Sequence, residues 1–204
     1  LNCVHCYTDS HNKKYGELST DEGLTLIDDL AKFGIPSLLF SGGEPLMRRD
    51  VFRLITRAAD KNIRPVLSTN GTLIDKDKAR AIKDAGIVYV GISLDGMEDV
   101  NDTFRGMNGA FKKAMKGFEN CIAAGQRVGL RLTLTKRNFA DLHNIFDFIE
   151  KEGINRACFY HLVYSGRGGS LFADDLSYSE SRQAMDTIIE RTDDFFRRGL
   201  DINI

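Results

Sequence analysis

The sequence predicts an α/β protein built on a parallel sheet. Short apolar runs rich in β-branched residues alternate with longer runs of helical period, and glycine-rich or polar clusters sit where the apolar runs end. Regular strand–helix alternation favours parallel strands joined by right-handed crossovers. An open doubly wound sheet and a barrel both satisfy this pattern.

In chain order, Ser19 with Glu22 forms a capping-box signature that opens a helix carrying Leu24, Ile27 and Leu30. The first strand is SLLFS (37–41), followed by a helix with Val51, Leu54, Ile55 and Ala58. VLST (66–69) and VYVGISL (88–94) are the second and third strands. Phe111, Ala114, Met115, Phe118 and Ile122 mark the helix that leads to VGLRLTLT (128–135). Leu142, Ile145, Phe146 and Ile149 mark the next helix, ACFYHLVY (157–164) is the fifth strand, and a helix with Met185, Ile188 and Ile189 closes the chain. Strands this apolar predict a sheet covered on one face and closed or crowded on the other.

Composition narrows the class. With 204 residues, 42% of them hydrophobic, one domain over 1–204 with one core is expected. A net charge of −1 leaves no footprint for a polyanion, so nucleic acid is not an expected partner. No apolar run approaches the roughly 20 residues that span a bilayer, and no signal-peptide pattern is seen, so no membrane partner is expected. Four cysteines without regular spacing form no disulfide framework, which makes a reducing cytoplasm the expected compartment. Beginning on Leu1 and stopping at DINI, the chain reads as a piece of a longer protein, truncated at both ends.

The unusual residues follow the strands. GGEP (42–45) comes after the first, Asn70-Gly71 after the second, and Leu94-Asp95-Gly96 closes the third. TLTKRN (133–138) and HLVYSGRGG (161–169) close the last two. Strand C-termini are where parallel α/β folds build their sites, so that rim is the expected active site.

Cys3 and Cys6 admit several readings by themselves. Zinc would need two more ligands; His11 offers one, but no second pair follows. A thioredoxin-type pair should lie between a strand and a helix start, whereas irregular sequence runs on to Ser19. Cys121 and Cys158 read as buried small hydrophobes in a helix and a strand. Gly42 and Gly43 let a backbone approach a ligand closely, and Glu44 offers an acceptor suited to an ammonium group. Asp95 suits a sugar diol or a turn cap, and Gly166, Gly168 and Gly169 leave room for a flat or bulky group.

Taken in order, CVHCY, GGEP, STNG, SLDG and a later strand with Arg131 and Asn138 resemble the radical S-adenosylmethionine (SAM) superfamily. The resemblance implies a partial (βα)6 TIM-like barrel whose first strand precedes this chain. In the family's CxxxCxxC motif three thiolates hold a [4Fe–4S] cluster whose open iron is chelated by SAM. Cleavage of SAM there yields a 5′-deoxyadenosyl radical, so the implied cofactors are the cluster and SAM, with an electron donor as partner. Cys3 and Cys6 match the second and third cluster ligands, and the first falls two residues before Leu1. His5 matches a position near the adenine, and Gly42, Gly43 and Glu44 match the motif for the SAM amino group. Ser93 and Asp95 lie where the ribose is bound, and Arg131 is the expected partner of the SAM carboxylate. Asn138 and the 161–168 loop are expected to line the adenine or substrate side.

GELSTDEGLTLIDDLAKFGIPSLLFSGGEPLMRRDVF together with YHLVYSGRG is similar, within that superfamily, to the enzymes of haem d1 and alternative haem biosynthesis (the NirJ type). This implies an enzyme that removes or modifies carboxylate side chains of a siroheme-derived iron tetrapyrrole. An anionic macrocycle calls for cations, and Arg105, Arg131, Arg137 and Arg167 all fall in or beside the C-terminal loops. Arg105, His161, Tyr164 and Arg167 are the expected substrate contacts. The competing readings are a peptide-modifying radical SAM enzyme of the SPASM type, a non-catalytic iron–sulfur or tetrapyrrole carrier, and a zinc-stapled interaction domain.

Overall fold

A computed structural model describes residues 1–10 and 16–204. The fold is α/β, with a parallel five-stranded sheet whose strand order follows the chain. The strands are β1 (Ser37–Phe40), β2 (Arg64–Thr69), β3 (Tyr89–Ser93), β4 (Val128–Thr133) and β5 (Ala157–Tyr160). Each expected strand is present; β1, β3, β4 and β5 stop short at the C-terminal end, where the loop residues take over, whereas β2 ends at Thr69 as expected and begins two residues earlier. Contacts group the residues into two compact units, which are described in turn.

One unit comprises Asp9–Ile92 and Lys113–Val128. It opens with α1 (Thr20–Phe33), whose Ser19–Glu22 capping box forms as the sequence predicts: Ser19 Oγ accepts from Glu22 N and Ser19 N donates to Glu22. Ile27 on α1 packs with Leu54 and Ala58 of α2 (Val51–Asp60) and with Ile63, and Leu38 and Phe40 of β1 close the cluster. Strand β2 pairs parallel with β1 in the register Leu39↔Val66 and with β3 in the register Leu67↔Val90. The apolar sequence of β1 nevertheless leaves Leu39 exposed, so burial on both faces does not extend to this strand. Composition hid α3 (Lys76–Asp84), because only Ala79 and Ile82 are buried in it and Asp75 starts it by accepting from Lys78 N. The helix α5 (Ala110–Ala123) buries Phe118 and Cys121, and burial pushes the Cys121 thiol up to about 12, so it is the small hydrophobe expected.

The other unit comprises Leu1–Thr8, Ser93–Lys112 and Gly129–Ile204. Here β4 and β5 pair parallel in the register Leu132↔Phe159. The helices are α4 (Glu98–Arg105), α6 (Lys136–Phe139), α7 (Leu142–Lys151) and α8 (Tyr178–Arg197). Phe146 of α7 stacks on Phe159 of β5 and meets Phe195 of α8, which fixes both helices against the sheet. The sequence pattern missed α4 because its buried positions include Asn101 and Arg105, polar residues that do not register as an apolar stripe. Cys158 on β5 is only half-buried, which corrects the expectation of a buried hydrophobe. Among the described residues no helix is long and apolar enough to cross a membrane.

Candidate SAM and cluster site

The first group of candidate residues belongs to the unit that carries GGEP. Gly42 and Gly43 are exposed, and Glu44 begins a short 3-10 turn over Pro45–Met47. The Glu44 carboxylate accepts from Leu46 N (3.2 Å), Thr69 Oγ1 (2.7 Å) and Asn70 N (2.9 Å). Burial pushes its pKa up, and these three hydrogen bonds oppose the shift by favouring the charged form. A carboxylate offers about four acceptor positions, so three internal donors orient Glu44 and leave roughly one position for a ligand donor. Thr69 and Asn70 therefore hold Glu44 in place. That role was not legible, since they lie some 25 residues away and read as the end of β2 and the loop after it, within STNG.

The second group belongs to the unit that carries the cysteines. Cys3 and Cys6 are half-buried cysteines on a turn in which Cys6 N donates to Cys3 O (3.4 Å). Two elements grip this turn. From α4, Phe104 O accepts from Val4 N (3.0 Å), and Arg105 Nη1 donates to Cys3 Sγ (3.8 Å). From the loop after β5, Arg167 donates to Cys6 O through its backbone N (2.9 Å) and to Cys3 O through Nε (2.8 Å). The approach is close enough that a Cβ on Gly166 would lie 2.7 Å from Tyr7 O, and its φ of +55° is a left-handed conformation natural to glycine. Gly166 of SGRGG thus admits the cysteine turn itself.

Behind the turn lies a buried polar chain. Asp95 is fully buried, and its Oδ1 accepts from Thr133 N (2.9 Å). Its Oδ2 pairs with Arg105 Nη2 and lies 3.4 Å from His5 Nε2. The His5 ring stacks on Phe104 with centroids 4.6 Å apart. Burial lowers the His5 pKa; Asp95 opposes that shift, and Arg105 and Arg167 reinforce it, so the imidazole is neutral at pH 7. The Asn138 amide is also fully buried: Nδ2 donates to Asp95 O (2.9 Å) and Thr133 O (2.8 Å), and Oδ1 accepts from Thr135 N (2.9 Å).

These contacts bear on three expectations. Asp95 has no exposed oxygen to offer a ribose, because its carboxylate is committed to Arg105, His5 and Thr133. Asn138 braces the loop after β4 instead of presenting its amide to a ligand. Arg105, expected at the substrate, is buried, with its guanidinium on Cys3 and Asp95. The remaining candidates are more open. Ser93 ends β3 half-buried, and half-buried Arg131 lies over the Tyr160 ring at 4.8 Å. His161 is exposed, and Tyr164 is exposed with its hydroxyl on Asp175 and its ring against Phe172 (4.4 Å). Arg137 pairs with Asp174 (2.7 Å).

The donor set suits an iron–sulfur cluster, since soft thiolates with hydrogen-bond donors around them are the usual ligands of such centres. Among the described residues no group of three or more His, Cys, Asp or Glu is placed to hold a metal ion. His11, the candidate partner in the zinc reading, lies outside the described residues.

Comparison with known proteins agrees with this chemistry. Residues 1–149 match the family described as the radical SAM superfamily. The chain is 54% identical over 200 residues to Fe-coproporphyrin III synthase of Methanosarcina barkeri, covering 98% of this chain and 50% of that protein. It is 40% identical over 192 residues to pre-heme d1 synthase of Dinoroseobacter shibae, covering 94% of this chain and 48% of that one. The chain therefore spans about half the length of the curated relatives it matches. The solved structure of native anSMEcpe with bound AdoMet superposes with a TM-score of 0.83 at 20% identity, covering 99% of this chain and 59% of that one, and so shares the fold. With the matched residues covering most of its length and the paired thiols held on their turn, the chain belongs to the radical SAM superfamily.

Proposed function

We propose that this chain is the core of a radical SAM enzyme of haem or haem d1 biosynthesis, one that removes or modifies carboxylate side chains of a siroheme-derived iron tetrapyrrole. One observation carries the reading: 54% identity across 98% of the chain to an Fe-coproporphyrin III synthase. When bound, the [4Fe–4S] cluster and SAM supply the reducing and radical chemistry, with an electron donor as the further partner.

The chain's own residues bind and orient. Cys3 and Cys6 provide two thiolate ligands, and their turn is fixed by Arg167 and by the Phe104 carbonyl. Glu44, turned by Thr69 and Asn70, offers an acceptor for an ammonium group beside the open Gly42 and Gly43 backbone. Arg131 offers a two-pronged donor for a carboxylate, and SAM carries both an ammonium and a carboxylate. Ser93 is the hydroxyl offered to the ribose. Neutral His5 stands between the two cysteines as the planar group offered to the adenine. His161, Tyr164 and Arg167, on the loop after β5, are assigned to the tetrapyrrole.

The test uses full-length protein, reconstituted with iron and sulfide without oxygen and then reduced in the presence of SAM. Release of 5′-deoxyadenosine, quantified by mass spectrometry, is expected to rise when didecarboxysiroheme is added, together with a mass loss on the ring. Nucleoside that ignores the tetrapyrrole would move the substrate to another class, such as a peptide. A fully loaded cluster that releases no nucleoside would overturn the enzymatic reading in favour of a carrier.

A further inference from the structure

We propose that Arg105 is a tuning and positioning residue that raises the reduction potential of the cluster bound at Cys3, through a guanidinium N–H···S hydrogen bond. The inference rests on the cluster assignment above and goes beyond it. Arg105 was expected at the substrate; the structure instead directs it at a ligand sulfur, with Nη1 3.8 Å from Cys3 Sγ.

The arrangement is built, not incidental. The Arg105 side chain is 10% exposed and its ion-pair partner Asp95 is 1% exposed, so the guanidinium is held in a water-poor setting. Its other prong pairs with Asp95, which is anchored through Oδ1 to Thr133 N and through its own N to Asn101 Oδ1 (3.0 Å). The neighbouring Phe104 grips the same turn through its carbonyl and Val4 N, so the turn and the guanidinium are fixed to one helix end. Arginine stays protonated throughout the accessible pH range.

The direction follows from charge. Reducing the cluster adds one negative charge, and a positive donor on a ligand sulfur stabilises that form more than the oxidised one. Asp95 acts in the opposite sense, but the contact with the sulfur is made by Arg105, and Asp95 lies behind it on the far prong. Both groups must therefore be varied. Removing Arg105 alone would strand a buried carboxylate, which is strongly destabilising in its own right.

The experiment compares Asp95→Asn with the double variant Arg105→Met/Asp95→Asn in full-length reconstituted protein. Iron is quantified first, and the midpoint is then read by EPR-monitored redox titration. With iron content equal, the double variant is expected to be about tenfold harder to reduce at a fixed potential, which for a one-electron couple is about 59 mV. Equal midpoints at equal iron content would overturn the inference. Iron near zero in the parent protein would instead sink the cluster assignment, so the two failures are distinguishable. Should the double variant not fold, Arg105→Lys with guanidino-15N arginine labelling decides the matter. A 15N coupling to the reduced cluster in the parent that disappears in Arg105→Lys supports the contact, and an identical spectrum in both overturns it.

Discussion

Gly166→Ala is predicted to be far more costly than Gly153→Ala, although both glycines have nearly the same backbone conformation. Their φ values are +55° and +64°. An L-residue in this left-handed region costs about 1–2 kcal/mol, and both variants carry that cost. Around Gly153 a new Cβ meets nothing within 4 Å, whereas at Gly166 it would collide with the Cys6 carbonyl and lie 2.7 Å from Tyr7 O. Carbon and oxygen normally touch at about 3.3 Å, so the cysteine turn or the 166–170 segment has to move. The bonds at risk are Arg167 N to Cys6 O (2.9 Å) and Arg167 Nε to Cys3 O (2.8 Å). A neutral bond contributes about 0.5–1.5 kcal/mol and one from a charged donor about 1.5–3, so the excess cost of Gly166→Ala is about 2–4 kcal/mol. Urea unfolding of the two variants measures it directly. With a denaturant dependence of about 2 kcal/mol per molar, the midpoints should differ by about 1–2 M. Coincident midpoints would refute the idea that Gly166 is there to admit the cysteine turn.

Two further outcomes follow from the same contacts. Asn138→Ala should destabilise the protein by about 2–4 kcal/mol in thermal or urea unfolding, because it strips partners from buried groups at Asp95, Thr133 and Thr135. A near-neutral effect would show that water replaces the amide. Asp50 accepts from Arg48 and Thr20, which lower its pKa from 3.8 to about 2. Since the folded value is depressed, its contribution is present above about 3.8 and lost as pH falls towards about 2. Asp50→Asn should therefore be less stable than the parent at neutral pH and converge with it across that acid window, as followed by denaturant midpoints at several pH values. Parallel curves down to pH 2 would contradict this.

The fold was legible to the extent that it depends on apolar period. All five strands and the helices α1, α2, α5 and α7 follow from side chains that pack a core, whereas Met185 and Ile189, which marked α8, are exposed and that helix buries Ala184 and Phe195 instead. The period fails at α3, where the buried face is too narrow, and at α4, where Asn101 and Arg105 occupy buried positions. The site was legible by residue type at Cys3, Cys6 and Glu44, but the inward commitments of Asp95, Arg105 and Asn138 were not. Sequence announces that a residue can hydrogen-bond; it does not announce which distant backbone group has already claimed it. Asp95 Oδ1 meets Thr133 N across 38 positions, and Arg167 Nε meets Cys3 O across 164.

The grip on the cysteine turn also bears on repair. In small zinc-dependent domains metal binding and folding are one event, and chelation unfolds the chain. Here residues 3–6 are fixed by hydrogen bonds to Phe104, Arg105 and Arg167. Ordering a residue costs about 1–2 kcal/mol, and these hydrogen bonds help to meet that cost at the turn. If iron is lost, a turn held this way is expected to keep its shape, so that repair would not require refolding; protection of the Val4 and Arg167 amides from hydrogen exchange in iron-depleted protein tests this.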